Sequence, residues 1–192
     1  MGRIFCVNAI LAIDTSTSRT SVGLIVNKEL IWSEFEDGAT AHAEAVPRLV
    51  QKALAMKNEI SQVIVGMGPG PYTGLRAGIS FAQAFAWARN IDFSGVCSLD
   101  AITCTEAEYI AATDARRKEI YWAKYKDGKK VDGPHVNLPA EVNGQLFVGE
   151  GAHKYRLCAE ATFPDVSVFY LLAKVDQPMY LRRPDAVLTL ER

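Results

Sequence analysis

The sequence predicts an α/β protein made of two related halves. Residues 1–97 alternate strand-like and helix-like segments in the order βββαβαβ, with a glycine-rich loop between a strand and a long helix. The run Ile-Ala-Ala-Thr-Asp at 110–114 follows Ile-Leu-Ala-Ile-Asp at 10–14 by one hundred residues, and each run leads into further strand-like segments. Internal duplication therefore predicts an N-terminal lobe at 1–97 and a reduced C-terminal lobe at 98–192, each with a mixed sheet flanked by helices.

Three strands open the first half. Segments 10–14, 20–26 and 30–36 have the apolar patterning of strands. The dipeptide Asn27-Lys28 is short enough to be a tight turn between the second and third segments. The pattern predicts three strands in antiparallel succession.

Two helices and two more strands complete the first half. Segment 41–56 places Val46, Leu49 and Val50 on one helical face, and Pro47 lies close enough to the helix start to be tolerated. We expect the remaining elements in the order strand at 62–67, helix at 73–89 and strand at 93–97.

The second half repeats this order less clearly. We predict strands at 110–114, 119–125 and 145–148, with a turn at Asp127-Gly128 and a short helix that begins near 149–152. Beyond Pro134 the pattern weakens, and segment 166–174 fits a helix and a strand equally well.

Composition narrows the classes of protein to consider. The chain has 192 residues, 49% of them hydrophobic, which is enough to bury a substantial core. A net charge of −1 and a pI near 6.3 argue against binding of nucleic acid by this chain alone. The four cysteines show no Cys-x-x-Cys spacing, and no apolar run is long enough to span a bilayer. We therefore expect reduced cysteines and a cytoplasmic protein without membrane contact.

The glycine loop, residues 66–78, is the most informative segment. Its sequence Gly-Met-Gly-Pro-Gly-Pro-Tyr-Thr-Gly-Leu-Arg-Ala-Gly joins a predicted strand to a helix. The first amides of a helix are unpaired and favour an anion such as phosphate. The loop is neither a Walker A sequence nor a Gly-x-Gly-x-x-Gly motif with a following ribose-binding acid. A purely structural role is the alternative for the loop taken alone.

The turn after the first strand is rich in hydroxyl groups. Residues 14–21, Asp-Thr-Ser-Thr-Ser-Arg-Thr-Ser, suit a turn around a phosphate, although such side chains also bond to their own backbone. Together with the glycine loop and the duplication, the pattern favours a vestigial nucleotide or anion site. The candidate residues of this site are Asp14, Thr15, Ser16, Thr17, Gly68, Gly70, Thr73, Gly74 and Asp114.

Six motifs in the same order resemble the TsaB (YeaZ) family. They span nearly the whole chain, and the glycine loop is the most specific of them, with Pro71 where serine is usual. The motifs are Ile13-Asp14-Thr15-Ser16-Thr17, His42-x-Glu44-x-x-Pro47, Gly68-Pro69-Gly70-Pro71-Tyr72-Thr73-Gly74-Leu75-Arg76, Ser98-Leu99-Asp100-Ala101, Asp114-Ala115-Arg116-Arg117 and Tyr180-Leu181-Arg182.

The resemblance implies a fold and a role. The fold is the duplicated, ribonuclease H-like architecture of actin-like (ASKHA) ATPases. The role is in forming the threonylcarbamoyl group on N6 of adenosine 37 in tRNAs that read ANN codons. In that system TsaB partners the paralogue TsaD, with the ATPase TsaE in a ternary complex, contacts tRNA only through the complex, and forms a homodimer in isolation. No cofactor is expected on this chain alone, and any ATP would lie at the interface of the complex.

The resemblance also implies that this chain is not the catalyst. The catalytic paralogue carries two metal-binding histidines on an element that aligns with residues 96–102. Here Ser98 and Ile102 stand in their places, and isoleucine cannot ligate a metal. We therefore expect no catalytic residue and no metal site, which makes the chain a pseudo-enzyme subunit. The alternatives are a metal-dependent (M22-like) peptidase and a stand-alone actin-like ATP-binding protein.

Small residues recur every four positions along the helix after the glycine loop. Such a stripe lets another backbone approach closely, either this protein's own sheet or a second chain. With segment 41–56 as its companion, we predict that this helix docks TsaD and mediates self-association. The predicted partner or dimer interface comprises His42, Glu44, Leu49, Leu75, Arg76, Gly78, Ile79, Ala82 and Ala86.

Overall fold

The protein contains two β-sheets, each flanked by helical segments. A computed structural model describes residues 9–38, 40–56 and 58–182. Residues 1–8, which include Cys6 and the start of the predicted N-terminal lobe, lie outside the described residues. So do residues 183–192, the end of the predicted C-terminal lobe. None of the described helices is long and apolar enough to cross a membrane.

The first sheet has six strands in the order β10-β5-β4-β1-β2-β3. Strands β1, β2 and β3 are successive antiparallel neighbours, as predicted, while β4 and β5 run parallel to β1. The strands are β1 Ala9–Asp14, β2 Arg19–Val26, β3 Glu29–Asp37, β4 Ile60–Gly66, β5 Asp92–Val96 and β10 Lys174–Val175. Because β1 and β4 are parallel, both end at the same edge of the sheet, which places the turn after β1 beside the glycine loop.

Two helices cover one face of this sheet. Helix α1, His42–Ala55, and helix α2, Tyr72–Arg89, pack on each other and on β1, β2 and β4. Leu49 of α1 and Leu75 of α2 are completely buried in the same cluster as Leu11. The chain leaves α2 through Asn90, whose left-handed φ of 52° ends the helix.

The second sheet has four strands in the order β8-β7-β6-β9 and repeats the start of the first sheet. Strands β6, β7 and β8 are antiparallel neighbours like β1, β2 and β3, and β9 is parallel to β6 as β4 is to β1. The predicted duplication is thus confirmed. The elements are β6 Glu108–Asp114, β7 Ile120–Lys126, β8 Lys129–Asn137, β9 Phe147–Val148 and helix α3 Glu150–Lys154.

The second half is shorter because its helices are reduced. The 3-10 helix Pro139–Glu141 lies between β8 and β9, where the first half has the fourteen-residue α1. Helix α3 has five residues where α2 has eighteen. Strand β8 continues past Pro134, where the sequence pattern weakens. As an edge strand, β8 can accept a proline that donates no hydrogen bond.

The last described segment returns to the first sheet. Val166–Leu171 form a 3-10 helix, and Lys174 and Val175 pair antiparallel with β5. Val166 and Phe169 are buried against Ala12 and Ile64, on the face of the first sheet opposite α1 and α2. Segment 166–174, for which the sequence left helix and strand open, therefore contains a 3-10 helix followed by the start of a strand. The division of the chain into lobes at residue 97 stays a prediction.

Candidate functional site

Asp14 is the centre of a hydrogen-bonded cluster at the end of β1. Its Oδ1 accepts bonds from the amide of Ser16 at 2.9 Å and the hydroxyl of Ser16 at 2.7 Å. Its Oδ2 accepts a 2.7 Å bond from the hydroxyl of Ser98, which follows β5. Burial raises the pKa of Asp14 by more than these hydrogen bonds lower it. The side chain therefore links the turn after β1 to the segment after β5.

The glycine loop packs directly on the aspartate turn, residues 14–18. A Cβ atom added to Gly70 would lie 2.4 Å from the carbonyl oxygen of Ser16, and one added to Gly66 would lie 1.9 Å from Oδ2 of Asp14. In α2, a Cβ on Gly78 would lie 2.4 Å from Oγ1 of Thr15. No side chain fits at these positions, so the glycines are explained by the contact between the loop and the turn.

The sequence predicted a vestigial nucleotide or anion site here, with a purely structural role of the glycine loop as the alternative. The structure does bring the aspartate turn and the glycine loop together. However, Thr15 and Ser16 are fully buried, and the Thr15 hydroxyl donates a 2.8 Å hydrogen bond to the carbonyl of Gly74. The predicted residues that are buried in this way are Asp14, Thr15, Ser16, Thr17, Gly68, Gly70 and Gly74, whereas Thr73 is exposed. The loop and the turn are therefore in direct contact, and an anion site at these residues stays a prediction.

Asp114 forms the corresponding turn of the second half. Its Oδ1 accepts a hydrogen bond from the amide of Arg116, two residues on, just as Asp14 accepts one from Ser16. Its Oδ2 pairs with Lys154 of α3 at 2.6 Å. Asp114 is thus ion-paired within its own half, and no sequence pattern indicated this partner.

A carboxylate from the second half reaches the aspartate turn of the first. Glu150, the first residue of α3, accepts hydrogen bonds from the amide of Ser18 at 3.2 Å and from the Ser18 hydroxyl. The two residues are 132 positions apart, so no local pattern could reveal the contact. The only sequence signal at Glu150 is its position between Gly149 and Gly151.

The segment that aligns with the metal-binding element of the paralogue makes hydrogen bonds and core contacts here. Ser98 accepts a 3.3 Å bond from the amide of Gly68 and donates to Asp14, and Ile102 is 1% exposed in a core cluster. Among the residues that the structure describes, no three His, Cys, Asp or Glu side chains are grouped so that they could hold a metal ion.

The predicted interface is mostly inside the protein, which corrects that prediction. Its buried members are His42, Leu49, Leu75, Gly78, Ile79, Ala82 and Ala86, and only Glu44 and Arg76 are exposed. The small-residue stripe of α2 faces this chain's own turn and sheet, because Gly74 and Gly78 lie against Thr15. His42 is held by a 2.7 Å hydrogen bond between its Nδ1 and the hydroxyl of Thr20. Burial and the nearby Arg116 lower the pKa of His42.

A different face of α2 is exposed. We define the outer face of α2 as Thr73, Ala77, Ser80, Ala84, Trp87 and Ala88. Trp87 is 87% exposed, and the rest of the face consists of small side chains, of which Ala77 is half-buried and the others are exposed. Beside it, Phe81 and Phe85 stack with ring centroids 6.0 Å apart. The sequence shows a large side chain at position 87, but no pattern in it indicated that this side chain would be exposed.

Relatives of the chain carry a consistent set of names. Residues 36–179 match the family described as TsaD, tRNA N6-adenosine threonylcarbamoyltransferase. An uncharacterized protein of Mycobacterium bovis is 39% identical over 201 residues, which is 94% of each chain. The tRNA threonylcarbamoyladenosine biosynthesis protein TsaB of Escherichia coli is 34% identical over 129 residues. That match covers 61% of this chain and 54% of the Escherichia coli protein, about half its length.

Two solved structures of proteins from Pseudomonas aeruginosa share the fold. One protein, described as similar to peptidase YeaZ, has a TM-score of 0.76 at 23% identity and covers 91% of this chain and 100% of its own. The other, YeaZ, has a TM-score of 0.72 at 24% identity and covers 86% and 90%. The predicted actin-like, ribonuclease H-like fold class is thereby confirmed. The chain belongs to the tRNA N6-adenosine threonylcarbamoyltransferase family and, within it, to the TsaB (YeaZ) proteins.

Proposed function

We propose that this chain takes part in threonylcarbamoyladenosine biosynthesis as a non-catalytic subunit that docks on a TsaD paralogue and activates it. The relatives named TsaB support the pathway. The observation that carries the non-catalytic role is that the polar groups of the aspartate turn already have hydrogen-bond partners within the chain. Asp14 accepts hydrogen bonds from Ser16 and Ser98, Thr15 donates one to Gly74, and Ser18 donates one to Glu150. Because these groups already have partners within the chain, we infer that none of them acts on a substrate.

The outer face of α2 is the proposed docking surface and replaces the buried stripe. Small side chains at Ala77, Ser80 and Ala84 let a partner helix approach closely, and Trp87 supplies a large apolar anchor. Burying such a tryptophan contributes strongly to affinity in protein interfaces. In the absence of TsaD, the same face would pair with its copy in a homodimer.

Co-purification with the TsaD paralogue tests this surface. Ala84→Arg places a long charged side chain on the outer face, and Trp87→Ala removes the anchor. Both substitutions should abolish or strongly reduce capture of TsaD. Loss of tRNA modification should follow. The matched control is Ala140→Arg, an exposed alanine in the 3-10 helix of the second half. Capture of TsaD by both outer-face variants at the level of Ala140→Arg would rule out this surface.

The remaining parts of the proposal concern the assembled system. TsaE would join as the ATPase of the ternary complex, tRNA would be contacted only through the complex, and ATP would bind at its interface. A modification assay with purified components tests the accessory role, since omission of this chain should stop the reaction that TsaD performs. Peptidase activity of the isolated chain, or a stoichiometric metal after purification, would contradict the non-catalytic role.

A further inference from the structure

The contact between Glu150 and Ser18 has the chemistry of an anion site that is already filled. The backbone amide and the hydroxyl of Ser18 both donate to the Glu150 carboxylate. An amide and a hydroxyl that point at the same two oxygens also suit a phosphoryl group, whose oxygens accept hydrogen bonds in the same way. The occupant here is a side chain of the other half of the same chain.

Glu150 is held in this position by the backbone around it. A Cβ on Gly149 would lie 2.1 Å from the carbonyl oxygen of Ala112, and one on Gly151 would lie 2.4 Å from the carbonyl carbon of Thr113. Gly149 has a φ of 114°, which side-chain-bearing residues rarely adopt. The two glycines therefore pack the start of α3 tightly on the end of β6, and the carboxylate between them is aimed at the first half.

The charged groups around this region come from both halves of the chain. Arg116, from the turn after β6, lies close enough to His42 to contribute to the lowering of its pKa, and His42 is bonded to Thr20 near the aspartate turn. The guanidinium of Arg116 is itself paired with Asp114 at 3.5 Å. On the other side, the buried Asp14 lies near enough to Glu150 for the two carboxyl groups to repel each other. An exchange of Glu150 for an external anion would require the two halves to separate at this point.

We propose that Glu150 is an internal latch: it fills a phosphate-type anion site at Ser18, ties the two halves together there, and keeps the isolated chain from binding polyphosphate. The ligand class that the released site would take is a di- or triphosphate, free or as part of a nucleotide. This inference concerns the isolated chain and does not depend on the proposed partnership with TsaD.

Calorimetry on the isolated chain tests the latch. Inorganic tripolyphosphate and ADP with magnesium are titrated separately into wild type and Glu150→Ala, so that the two arms separate binding of phosphate from binding of a nucleoside. Glu150→Ala should bind tripolyphosphate at least tenfold more tightly than wild type. Glu160→Ala, which removes an exposed glutamate outside the contact, should behave like wild type. Equal affinity of all three proteins, or no binding by any of them, would overturn the proposal.

Two further measurements keep the test decisive. Ser18→Ala in the Glu150→Ala background removes one donor and should reverse most of the gained affinity; an unchanged affinity would place the anion elsewhere.

Amide hydrogen exchange at Ser18 should be at least tenfold faster in Glu150→Ala than in wild type, and tripolyphosphate should slow it again. If circular dichroism shows that Glu150→Ala is unfolded, Glu150→Gln is measured by the same criteria. Unchanged exchange at Ser18 in a folded Glu150 variant would show that Glu150 is no latch.

Discussion

Ser98 donates a 2.7 Å hydrogen bond to Oδ2 of Asp14, which links the segment after β5 to the end of β1. The resemblance to the TsaB family places Ser98 where the catalytic paralogue carries a metal-binding histidine. In this chain the position supplies a donor to a buried carboxylate instead. The same hydroxyl accepts from the amide of Gly68, so one serine connects the aspartate turn, the glycine loop and β5.

Loss of this hydroxyl should weaken the fold. Ser98→Ala leaves the buried oxygen of Asp14 and the amide of Gly68 each without this partner, and we expect a decrease of about 2–3 kcal/mol in the free energy of unfolding. Urea denaturation measures it. Ser80→Ala, on the outer face of α2, is the exposed control and should change stability by less than about 0.5 kcal/mol. Equal stability of the two variants would contradict the role given to Ser98.

We predict that Gly78 is required because a side chain at this position would collide with a neighbour, and not because the helix geometry needs a glycine. On an open helix surface, Gly→Ala would stabilise by about 1 kcal/mol. Here the new Cβ would lie 2.4 Å from Oγ1 of Thr15, so we expect Gly78→Ala to destabilise by about 1–3 kcal/mol. In Thr15→Ala that oxygen is absent, and the two substitutions together should cost less than their sum in a double-mutant cycle. A more stable Gly78→Ala would show that the turn moves aside readily.

Acidification should destabilise the protein through His42. Because burial lowers its pKa in the folded state, the folded protein takes up a proton less readily than the unfolded chain. The stabilising contribution is complete above the unfolded pKa of 6.5 and is lost as the pH falls from 6.5 through the lowered folded pKa. The urea midpoint at pH 5.5 should therefore drop more, relative to pH 7.5, in wild type than in His42→Gln. Parallel changes in both proteins would mean that other groups control this pH range.

Thr113 offers a stabilising substitution. Its hydroxyl is buried and has no hydrogen-bond partner among the described residues. Valine has nearly the same shape without the polar group, so Thr113→Val should raise the free energy of unfolding by about 1 kcal/mol. The exposed Thr162 gives the control Thr162→Val, which should have little effect. A less stable Thr113→Val would reveal a partner for the hydroxyl.

The local patterns in the sequence predicted most of the elements, since strands β1 to β4 and helices α1 and α2 have strong apolar periodicity and clear turn signals. The repeated Ile-to-Asp runs correctly indicated the duplication. Segment 166–174 remained open because a short 3-10 helix has too few turns to display a period. No bounds were predicted for β8, because its proline and its exposed position remove the usual strand signals.

The candidate site was predicted less well, for a different physical reason. A stripe of glycine and alanine shows that something approaches α2 closely, but it does not show what. The neighbour is the aspartate turn of the same chain, more than fifty residues away, as the contact of Thr15 with Gly74 shows. Likewise, no sequence pattern near Glu150 indicates its contact with Ser18. Contacts between distant segments depend on the assembled fold and are not encoded in any one window of sequence.

The close fit of the glycine loop changes what the motif can be used for. Gly66, Gly70 and Gly78 are each fixed by an atom of the aspartate turn that leaves no room for a Cβ. Any chain with this strand, turn and helix arrangement meets the same steric limit, whether or not it binds a phosphate. The motif is therefore a marker of this architecture, and a protein that carries it has to be assigned a ligand on other grounds.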